Sequence, residues 1–261
     1  MARAEYLPRV GSRDHIVAWL DDMLDARSFA DLTPNGLQVP GAQAVELVVT
    51  AVSPGLELFE QAAREGAQMV LCHHGLLGAF APDHVTPVMK ARLQALFDAD
   101  MSLVAYHLPL DAHEEVGNNA LICERLGLER AERFGSYKGQ PLGFVGRSEE
   151  GIAVEELRRR ATEAFGHEPF GWWHGPDPVH SLGIVSGAAA SSLGEAIEAG
   201  LDGFLTGEPA EHTMLEAREA GVHFIAGGHY GTETFGVLRL GDLIADEFDV
   251  EHRFIDMPNP V

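Results

Sequence analysis

Short apolar runs alternate with stretches of helical periodicity from about residue 45 onward. This alternation is typical of α/β proteins with mainly parallel strands, because a helix must carry the chain back between parallel strands. The apolar runs predict two series of three strands, at residues 46–52, 68–72 and 101–106 and at residues 181–186, 203–206 and 222–226.

Residues that favour helix ends mark the helices between these strands. Ser53-Pro54 and Thr86-Pro87 each place a capping side chain before a proline suited to the first helical position. Glycines that favour helix ends follow three of the predicted helices, at Gly66, Gly200 and Gly221. The first of these helices ends at Gly66, and the next three span residues 88–99, 188–199 and 209–220.

Further segments complete the predicted elements. An amphipathic helix is expected at residues 13–26. A connector, an edge strand and a helix are expected at residues 129–143, 144–147 and 154–165. Trp172-Trp173-His174 lies in a Gly- and Pro-rich stretch, which indicates a loop.

The two series of strands repeat the same order, which we interpret as a pseudo-duplication. The predicted fold class is α/β, with two similar three-layer lobes at residues 1–128 and 129–261. One option is that the part from about residue 227 packs back on the first lobe. Ligands of open α/β sheets bind beyond the carboxyl ends of the strands, so we expect the metal site in the crevice between the lobes.

Composition narrows the class of protein. The 261 residues are 46% hydrophobic, which is normal for a globular chain that forms one large domain or two ordinary ones. No apolar stretch approaches the roughly 18 residues that span a bilayer. Residues 1–8 contain no apolar segment of signal-peptide length, so we expect a cytoplasmic protein without a membrane partner. Cys72 and Cys123 are too few for a disulfide framework and are expected to be free thiols.

The net charge of −22 makes the chain strongly acidic, with 40 Asp and Glu against 18 Lys and Arg. Such a surface repels phosphate backbones, and no basic stripe with interleaved aromatic residues offsets it. Nucleic acid is therefore disfavoured as a partner. Two interpretations of the acidity stay open, namely ordinary solubility and adaptation to a salt-rich cytoplasm.

Imidazole and carboxylate side chains follow the apolar runs at three places: His73-His74, Asp111, and His229 with Glu233. Gly75 permits unusual backbone angles, which lets the two neighbouring histidine rings turn toward one point. Residues four apart share a helix face, so the last pair can reach one centre. Three imidazoles and two carboxylates are enough to hold two divalent ions and leave positions open for water. The pattern predicts a two-metal hydrolytic site.

A structural alternative stays open for each of these groups. A histidine pair is often structural, Asp111 could be a turn residue, and His229 with Glu233 could begin and cap a helix. Cys72 is interpreted as a core residue. No P-loop, dinucleotide fingerprint or Gly-x-Ser-x-Gly motif competes with the metal hypothesis.

Four further residues are weaker candidates: His107, His113, Glu208 and His212. Glu208 could accept a hydrogen bond from a metal-bound histidine. His107 or His212 could relay protons, and His107 and Glu233 are the predicted catalytic residues. A hydrogen-bonded structural role is an equal alternative for each of the four weaker candidates.

Five motifs occur in order along almost the whole chain: Asn35-Gly36-Leu37-Gln38-Val39, Cys72-His73-His74-Gly75, Tyr106-His107-Leu108-Pro109-Leu110-Asp111-Ala112-His113, Gly117-Asn118-Asn119 and Gly228-His229-Tyr230-x-x-Glu233. Together they resemble the NIF-three-like dinuclear metal centre family, often labelled GTP cyclohydrolase 1 type 2 homologues, in its short form without an inserted middle domain. The segment at residues 75–80 departs from the proline or aromatic pair of many relatives, which affects the expected pocket wall and substrate choice.

The resemblance implies two α/β lobes and a toroidal homohexamer with metal pairs facing its inner cavity. Carried over by matching position, the metal ligands are His73, His74, Asp111, His229 and Glu233. This set equals the one selected from the residues themselves.

We therefore expect a cytoplasmic hydrolase with two divalent ions per subunit, either zinc, iron or manganese. Glu233 or Asp111 is expected to bridge the ions, together with a water activated as hydroxide. By the family label, the small-molecule substrate is GTP or a related purine nucleotide. The alternative is a non-catalytic metal-binding assembly factor or metal-handling scaffold.

Overall fold

The computed structural model of the protein describes residues 11–79 and 81–261. The predictions made for residues 1–8 and for Phe80 lie outside the described residues. The strands are β1 Gly11–Ser12, β2 Gly36–Val39, β3 Ala44–Val45, β4 Leu47–Ala51, β5 Met69–Cys72, β6 Ser102–Ala105, β7 Glu129–Tyr137, β8 Gln140–Ile152, β9 Phe170–Trp173, β10 Val179–Ile184, β11 Gly203–Thr206, β12 His223–Ala226 and β13 Glu251–Phe254.

Helices connect most of these strands. They are α1 Arg13–Met23, α2 Leu56–Glu65, α3 Pro87–Asp98, α4 Leu108–Ala112, α5 Asn118–Leu126, α6 Val154–Phe165, α7 Leu193–Glu198, α8 Thr213–Ala220, α9 His229–Thr232 and α10 Thr234–Phe248. Short 3-10 segments lie at Ala26–Ser28 and Ala190–Ser192. Within residues 11–79 and 81–261, no helix is long and apolar enough to cross a membrane.

The chain divides into two compact units. Unit 1 comprises the described residues up to His107 together with Val237–Met257, and unit 2 comprises Leu108–Gly236 with Pro258–Val261. The division falls at His107, whereas the lobe boundary expected from the sequence follows residue 128. That lobe boundary stays a prediction.

Unit 1 contains a five-stranded sheet in the order β13-β4-β5-β6-β2. Strands β13, β4, β5 and β6 are parallel, and only β2 runs antiparallel to its neighbour. Every residue of β4, β5 and β6 is buried, as expected for the continuous apolar runs of a parallel sheet. On one face, side chains such as Val49, Val70 and Cys72 form a core with Phe59 of α2 and Leu96 of α3.

Unit 2 contains a six-stranded sheet in the order β7-β8-β10-β11-β12-β9. One core joins its strands to α5 and α6, and a second joins its strands to α7 and α8, which gives the predicted three layers. Strands β10, β11 and β12 are parallel, but the other three pairings are antiparallel. The α/β class is confirmed, whereas the prediction of mainly parallel strands holds for unit 1 and not for unit 2.

Several predicted boundaries are wrong in unit 2. The expected connector at residues 129–143 is the β7–β8 hairpin, and the expected edge strand at 144–147 lies inside β8, between β7 and β10. The expected loop around Trp172-Trp173 is the edge strand β9. Strand β7 begins with exposed Arg and Glu residues, so it has no apolar alternation to identify it, and its pairing with β8 determines its structure. Helices α7 and α8 are shorter than predicted.

The two predicted Ser/Thr-Pro helix starts have different outcomes. At α3 the side chain of Thr86 accepts a hydrogen bond from the Met89 amide at 3.2 Å, and Pro87 is the first helical residue, as predicted. At α2 the N-cap is Gly55 with no side-chain bond, so the predicted cap at Ser53 is wrong. The predicted end of α2 at Gly66 is confirmed, with a left-handed φ of 80°.

Polar residues follow the carboxyl ends of the parallel strands in each unit. In unit 1, His73 follows β5 and His107 comes shortly after β6. In unit 2, Ser186, Glu208 and His229 come shortly after β10, β11 and β12. Candidate site residues therefore lie at the sheet edge where ligands of open α/β sheets bind, within each unit.

We predict that Thr86→Ala lowers the free energy of unfolding by about 1 kcal/mol, because it leaves the first turn of α3 without its side-chain acceptor. Urea unfolding measures this effect. Thr86→Ser keeps the hydroxyl and serves as the control. Ser53→Ala is a second comparison, because it removes no helix cap from α2. Equal unfolding free energies for Thr86→Ala and Thr86→Ser would contradict the capping role.

Candidate metal centre

His73 and His74 lie directly beyond the end of β5. Their amides continue the pairing with the neighbouring chain, since His73 donates to the carbonyl of Ala51 at 3.3 Å and His74 to that of Val52 at 2.9 Å. The centroids of the two rings are 5.0 Å apart, with the ring planes at 50°. The predicted convergence of the two rings is therefore present.

Gly75 permits this turn for a different reason from the one predicted. It is absent from the glycines with positive φ, so unusual backbone angles are not required. A Cβ at this position would collide with the side-chain amide of Gln38. The Oε1 atom of Gln38 accepts hydrogen bonds from the amides of Leu76 at 2.8 Å and Leu77 at 3.1 Å, which holds the loop after the histidines.

Hydrogen bonds orient both of these rings through Nδ1. The Nδ1 atom of His73 donates to the carbonyl oxygen of Tyr106 at 3.0 Å, and that of His74 lies 2.8 Å from the Ser53 hydroxyl. Because a carbonyl oxygen only accepts, the proton of neutral His73 is on Nδ1, and Nε2 carries the lone pair. This tautomer is the one that binds a metal through Nε2.

His107 is held at two points. Its amide donates to the Asn35 side chain at 2.8 Å, and its Nδ1 lies 2.7 Å from Oδ1 of Asp31. Burial raises the pKa of the Asp31 carboxyl, but the hydrogen bond and charge of His107, with bonds from Asn35 and Leu32, bring the pKa down to about 2. Asp31 is therefore an ionised acceptor at neutral pH. One ring nitrogen of each of His73, His74 and His107 lies within 4.8 Å of the others.

In unit 2, Asp111 is buried in the short helix α4 with 5% of its surface exposed. Its Oδ1 atom accepts hydrogen bonds from the Asn118 amide at 2.8 Å and from the Ser186 hydroxyl at 3.0 Å. These bonds fix the orientation of the carboxylate, and Asp111 lies in helix α4, not in the turn considered as its alternative.

His229 and Glu233 follow β12, but the single helix predicted for them is wrong. Helix α9 ends at Thr232, and Glu233 lies at the break before α10, with φ −116° and ψ 7°. The two side chains still meet, since His229 Nε2 is 3.2 Å from Glu233 Oε2. The Nδ1 atom of His229 contacts a carboxylate oxygen of Glu208, which is the role predicted for Glu208.

The imidazole of His229 is thus bounded by two carboxylates. Burial lowers its pKa, but hydrogen bonds and charge interactions with Glu233 and Glu208 prevail and raise the pKa to about 9. In the absence of a metal ion the ring carries a proton at neutral pH. Glu233 itself is buried, with 3% of its surface exposed.

The residues of unit 2 fit a divalent cation. Carboxylate oxygens of Asp111 and Glu233 lie within 4.8 Å of each other, and both residues are buried. Two buried carboxylates this close repel each other, and a cation offsets that repulsion. Gly187, with φ +65°, approaches so closely that a Cβ there would overlap Oε1 of Glu233. The backbone at Gly187 therefore lies directly against the Glu233 carboxylate.

Two weaker candidates lie outside these groups. The Nδ1 atom of His113 accepts hydrogen bonds from the amides of Glu115 at 3.1 Å and Val116 at 3.2 Å, which is a local structural role. His212 is an exposed residue at the start of α8. The structural alternative therefore fits both histidines.

Sequence reasoning missed the residues that hold the candidate ligands: Asp31, Ser53, Asn118 and Ser186. Asn118 belongs to a quoted motif, but no chemical role had been assigned to it. Asp31 lies in an irregular segment just before Asn35, and its proximity to His107 arises from folding over 76 residues of chain. No local spacing rule identifies such a contact.

The chain is similar to known proteins over almost its whole length. The sequence model of the Duf34/NIF3 (NGG1p interacting factor 3) family matches residues 12–260. A protein from Archaeoglobus fulgidus named GTP cyclohydrolase 1 type 2 homolog is 39% identical over 243 residues, which are 93% of this chain and 97% of that protein.

Solved structures are also similar. The structure of protein ybgI, of unknown function, matches with a TM-score of 0.90 and 33% identity over 96% of this chain and 100% of that chain. The structure of TTHA1606 from Thermus thermophilus matches with a TM-score of 0.84 and 34% identity, again over 96% and 100% of the two chains.

We predict that Gly187→Ala displaces the Glu233 carboxylate and lowers both unfolding free energy and metal affinity. Gly200→Ala is the matched control, because Gly200 has nearly the same φ, +66°, but nothing lies within 4 Å of its added Cβ. The control should lose only the roughly 1–2 kcal/mol of unfolding free energy that a left-handed backbone costs a residue with a Cβ. Denaturant unfolding and metal titration of both variants measure the difference; equal losses would contradict the close approach to Glu233.

We also predict a pH-dependent stabilisation by His229 in metal-free protein. Its pKa is raised from 6.5 to about 9 on folding, so the stabilisation is complete below pH 6.5 and is lost as pH rises through 9. The difference in unfolding free energy between wild type and His229→Gln, measured with chelator present, should shrink over that range. His212→Gln, at an exposed histidine, is the control. If the difference in unfolding free energy between wild type and His229→Gln does not change with pH, the assignment is contradicted.

Proposed function

The chain belongs to the Duf34/NIF3 family, and we propose that it is a dinuclear metal-dependent hydrolase that uses a metal-activated water. The proposed ligands are the five residues predicted from the sequence: His73, His74, Asp111, His229 and Glu233. The observation that supports this proposal is the chemistry of the donors within each unit. Unit 1 supplies oriented imidazoles, and unit 2 supplies an imidazole with two neighbouring buried carboxylates.

Bound divalent ions would lower the pKa of a coordinated water until hydroxide is available, and would stabilise negative charge that develops on the substrate. The protein's own residues orient the donors. Tyr106 and Ser53 fix the rings of His73 and His74, and Glu208 fixes His229. Asn118 and Ser186 fix Asp111. Glu233 and Asp111 would supply the carboxylate oxygens that hold the ions.

The proposed substrate is a small molecule, a purine nucleotide such as GTP. The name of the relative from Archaeoglobus fulgidus supports this substrate class. The net charge of −22 opposes the approach of phosphates in general, so binding of a nucleotide depends on the local positive charge that the ions provide. A cytoplasmic location and a homohexameric ring, both implied by the sequence and its resemblance, are parts of the same proposal.

The test combines metal analysis with turnover. Elemental analysis of purified protein should give two divalent ions per chain, and the loaded protein should turn over GTP or a generic phosphoester. Glu233→Gln keeps the size of the side chain but removes its charge; it should lower metal occupancy and reduce turnover by roughly 100-fold or more, the upper range for residues that support a metal site. Glu211→Gln changes an exposed glutamate and serves as the control.

The outcomes separate the hydrolase from its alternative. Loss of turnover in Glu233→Gln but not in Glu211→Gln supports the proposal. Tight metal binding without turnover of any substrate class contradicts the hydrolase and supports a metal-handling scaffold. Protein that binds no divalent ion contradicts both.

A further inference from the structure

A cavity in unit 1 adjoins the candidate site residue His107. It has a volume of about 530 Å³, within the roughly 300–1,000 Å³ typical of small-molecule sites. Helix α1 and the 3-10 segment that follows it supply Asp21, Arg27 and Phe29 to its wall. Asp31 also lines the cavity, and its Oδ1 atom lies 2.7 Å from Nδ1 of His107. A ligand in this cavity would therefore lie beside the imidazoles of unit 1.

The loop after the paired histidines forms part of the cavity wall. Gly78 lines the cavity, and the amide of Ala79 donates a hydrogen bond to the carbonyl of Leu32 at 2.8 Å. Gly78 has a positive φ of +125°, and a Cβ there would lie only 2.7 Å from Cα of Thr33. Part of the segment at residues 75–80, which was expected to affect the pocket wall, therefore does line a cavity.

The carboxylate of Asp21 is held in place by one of its oxygens. Oδ1 accepts a hydrogen bond from the Tyr106 hydroxyl at 2.7 Å, and a Cβ at Gly36 would lie only 3.2 Å from this oxygen. Burial and the bond to Asp21 raise the pKa of Tyr106, so its hydroxyl keeps its proton and stays a donor. No hydrogen bond from the described residues reaches Oδ2, because Nη2 of Arg27 lies 3.7 Å away. Asp21 therefore offers an acceptor at a fixed place in the cavity wall.

Asp21 and Arg27 place an acceptor and donors side by side in this wall. The side chain of Arg27 is 86% exposed, so its guanidinium can turn toward a ligand. A guanidinium fits O6 of guanine, and a carboxylate accepts from the N–H groups of a base. Of guanine and adenine, only guanine places two neighbouring donors, N1–H and the 2-amino group, next to an acceptor, O6. Adenine has the acceptor N1 beside its amino group, and this lone pair repels a carboxylate.

We propose that this cavity holds a guanine base, with Asp21 accepting hydrogen bonds from N1–H and the 2-amino group and Arg27 donating to O6. Phe29 is a half-buried residue of the same wall, and its ring supplies an apolar face on which the base stacks. The inference rests on the proposed function for the choice of a purine nucleotide. It deepens that function by assigning Asp21 as the residue that selects guanine over adenine.

The test uses nucleosides, because they carry no phosphate and so avoid both the net charge of −22 and contacts between metal and phosphate. Calorimetric titration of the full-length protein, with chelator present, should show that guanosine binds more tightly than adenosine. One bidentate contact to a base is expected to discriminate by roughly 5- to 150-fold. Inosine lacks the 2-amino group and should bind with an affinity between the two. None of these measurements uses catalytic activity.

Substitutions identify the residues that select the base. Asp21→Asn keeps an acceptor for the Tyr106 hydroxyl but replaces the second oxygen with an amide donor. It should weaken guanosine binding by a similar factor and tighten binding of xanthosine, which has an oxygen in place of the 2-amino group. Asp22→Asn removes the same charge from the neighbouring exposed residue and is the matched control.

A second variant tests the donor. Arg27→Gln should weaken guanosine binding, whereas Arg64→Gln, at another exposed arginine of unit 1, should leave it unchanged. Misfolding explains neither result, because a misfolded Asp21→Asn protein would not gain affinity for xanthosine and the Arg27 side chain is 86% exposed.

The results distinguish this inference from the proposed hydrolysis. Equal affinities for guanosine and adenosine, or no binding of either, overturn the guanine cavity, whether or not metal-loaded protein turns over GTP. If Asp21→Asn and Asp22→Asn have the same affinities for guanosine and xanthosine, the cavity is also overturned. Selectivity for guanosine that depends on Asp21, in protein that shows no turnover when loaded with metal, supports the cavity and contradicts the hydrolase.

Discussion

Hydrogen bonds behind the imidazole rings fix the orientation of the histidines in the candidate metal centre. A carbonyl, a carboxylate and a hydroxyl accept or share the Nδ1 positions of His73, His107 and His74. Without these partners each ring could rotate or exchange its tautomer, and its donor atom would be lost to the site. Strands β4 and β6 hold two of these partners in place, because Ser53 follows β4 and Tyr106 follows β6.

Unit 2 applies the same principle to carboxylates. Asp111 accepts bonds from Asn118 and Ser186, and His229 lies against Glu208 and Glu233. Buried charge is costly unless it is paired, so such groups require both hydrogen bonds and a cation of matching charge. In metal-free protein, Glu233 and Glu208 raise the pKa of His229, so the ring carries a proton that supplies part of that positive charge. A metal ion bound by His229 at neutral pH would therefore have to displace this proton.

The sequence predicted those parts of the structure that have a local cause. Apolar runs identified β4, β5, β6 and β10–β12, and the Thr86-Pro87 pair identified the start of α3, because burial and capping act within a few residues. Strand β7 was missed because its exposed Arg and Glu side chains form a strand only through pairing with β8. Asp31 was missed because its contact with His107 depends on the folded chain. Ser53 was assigned to a helix cap, although its hydroxyl contacts His74.

The thiol of Cys72 is next to the histidines in the sequence but takes no part in the candidate metal centre. Cys72 precedes His73 directly, yet its side chain belongs to the core beneath the sheet, and burial raises the pKa of its thiol. Cys123 is likewise buried. A thiolate beside the imidazoles would attract soft ions such as Cu(I) and would be open to oxidation. Because the sulfur of Cys72 is buried in the core, the thiol is kept apart from the candidate metal ligands and from oxidants in solution.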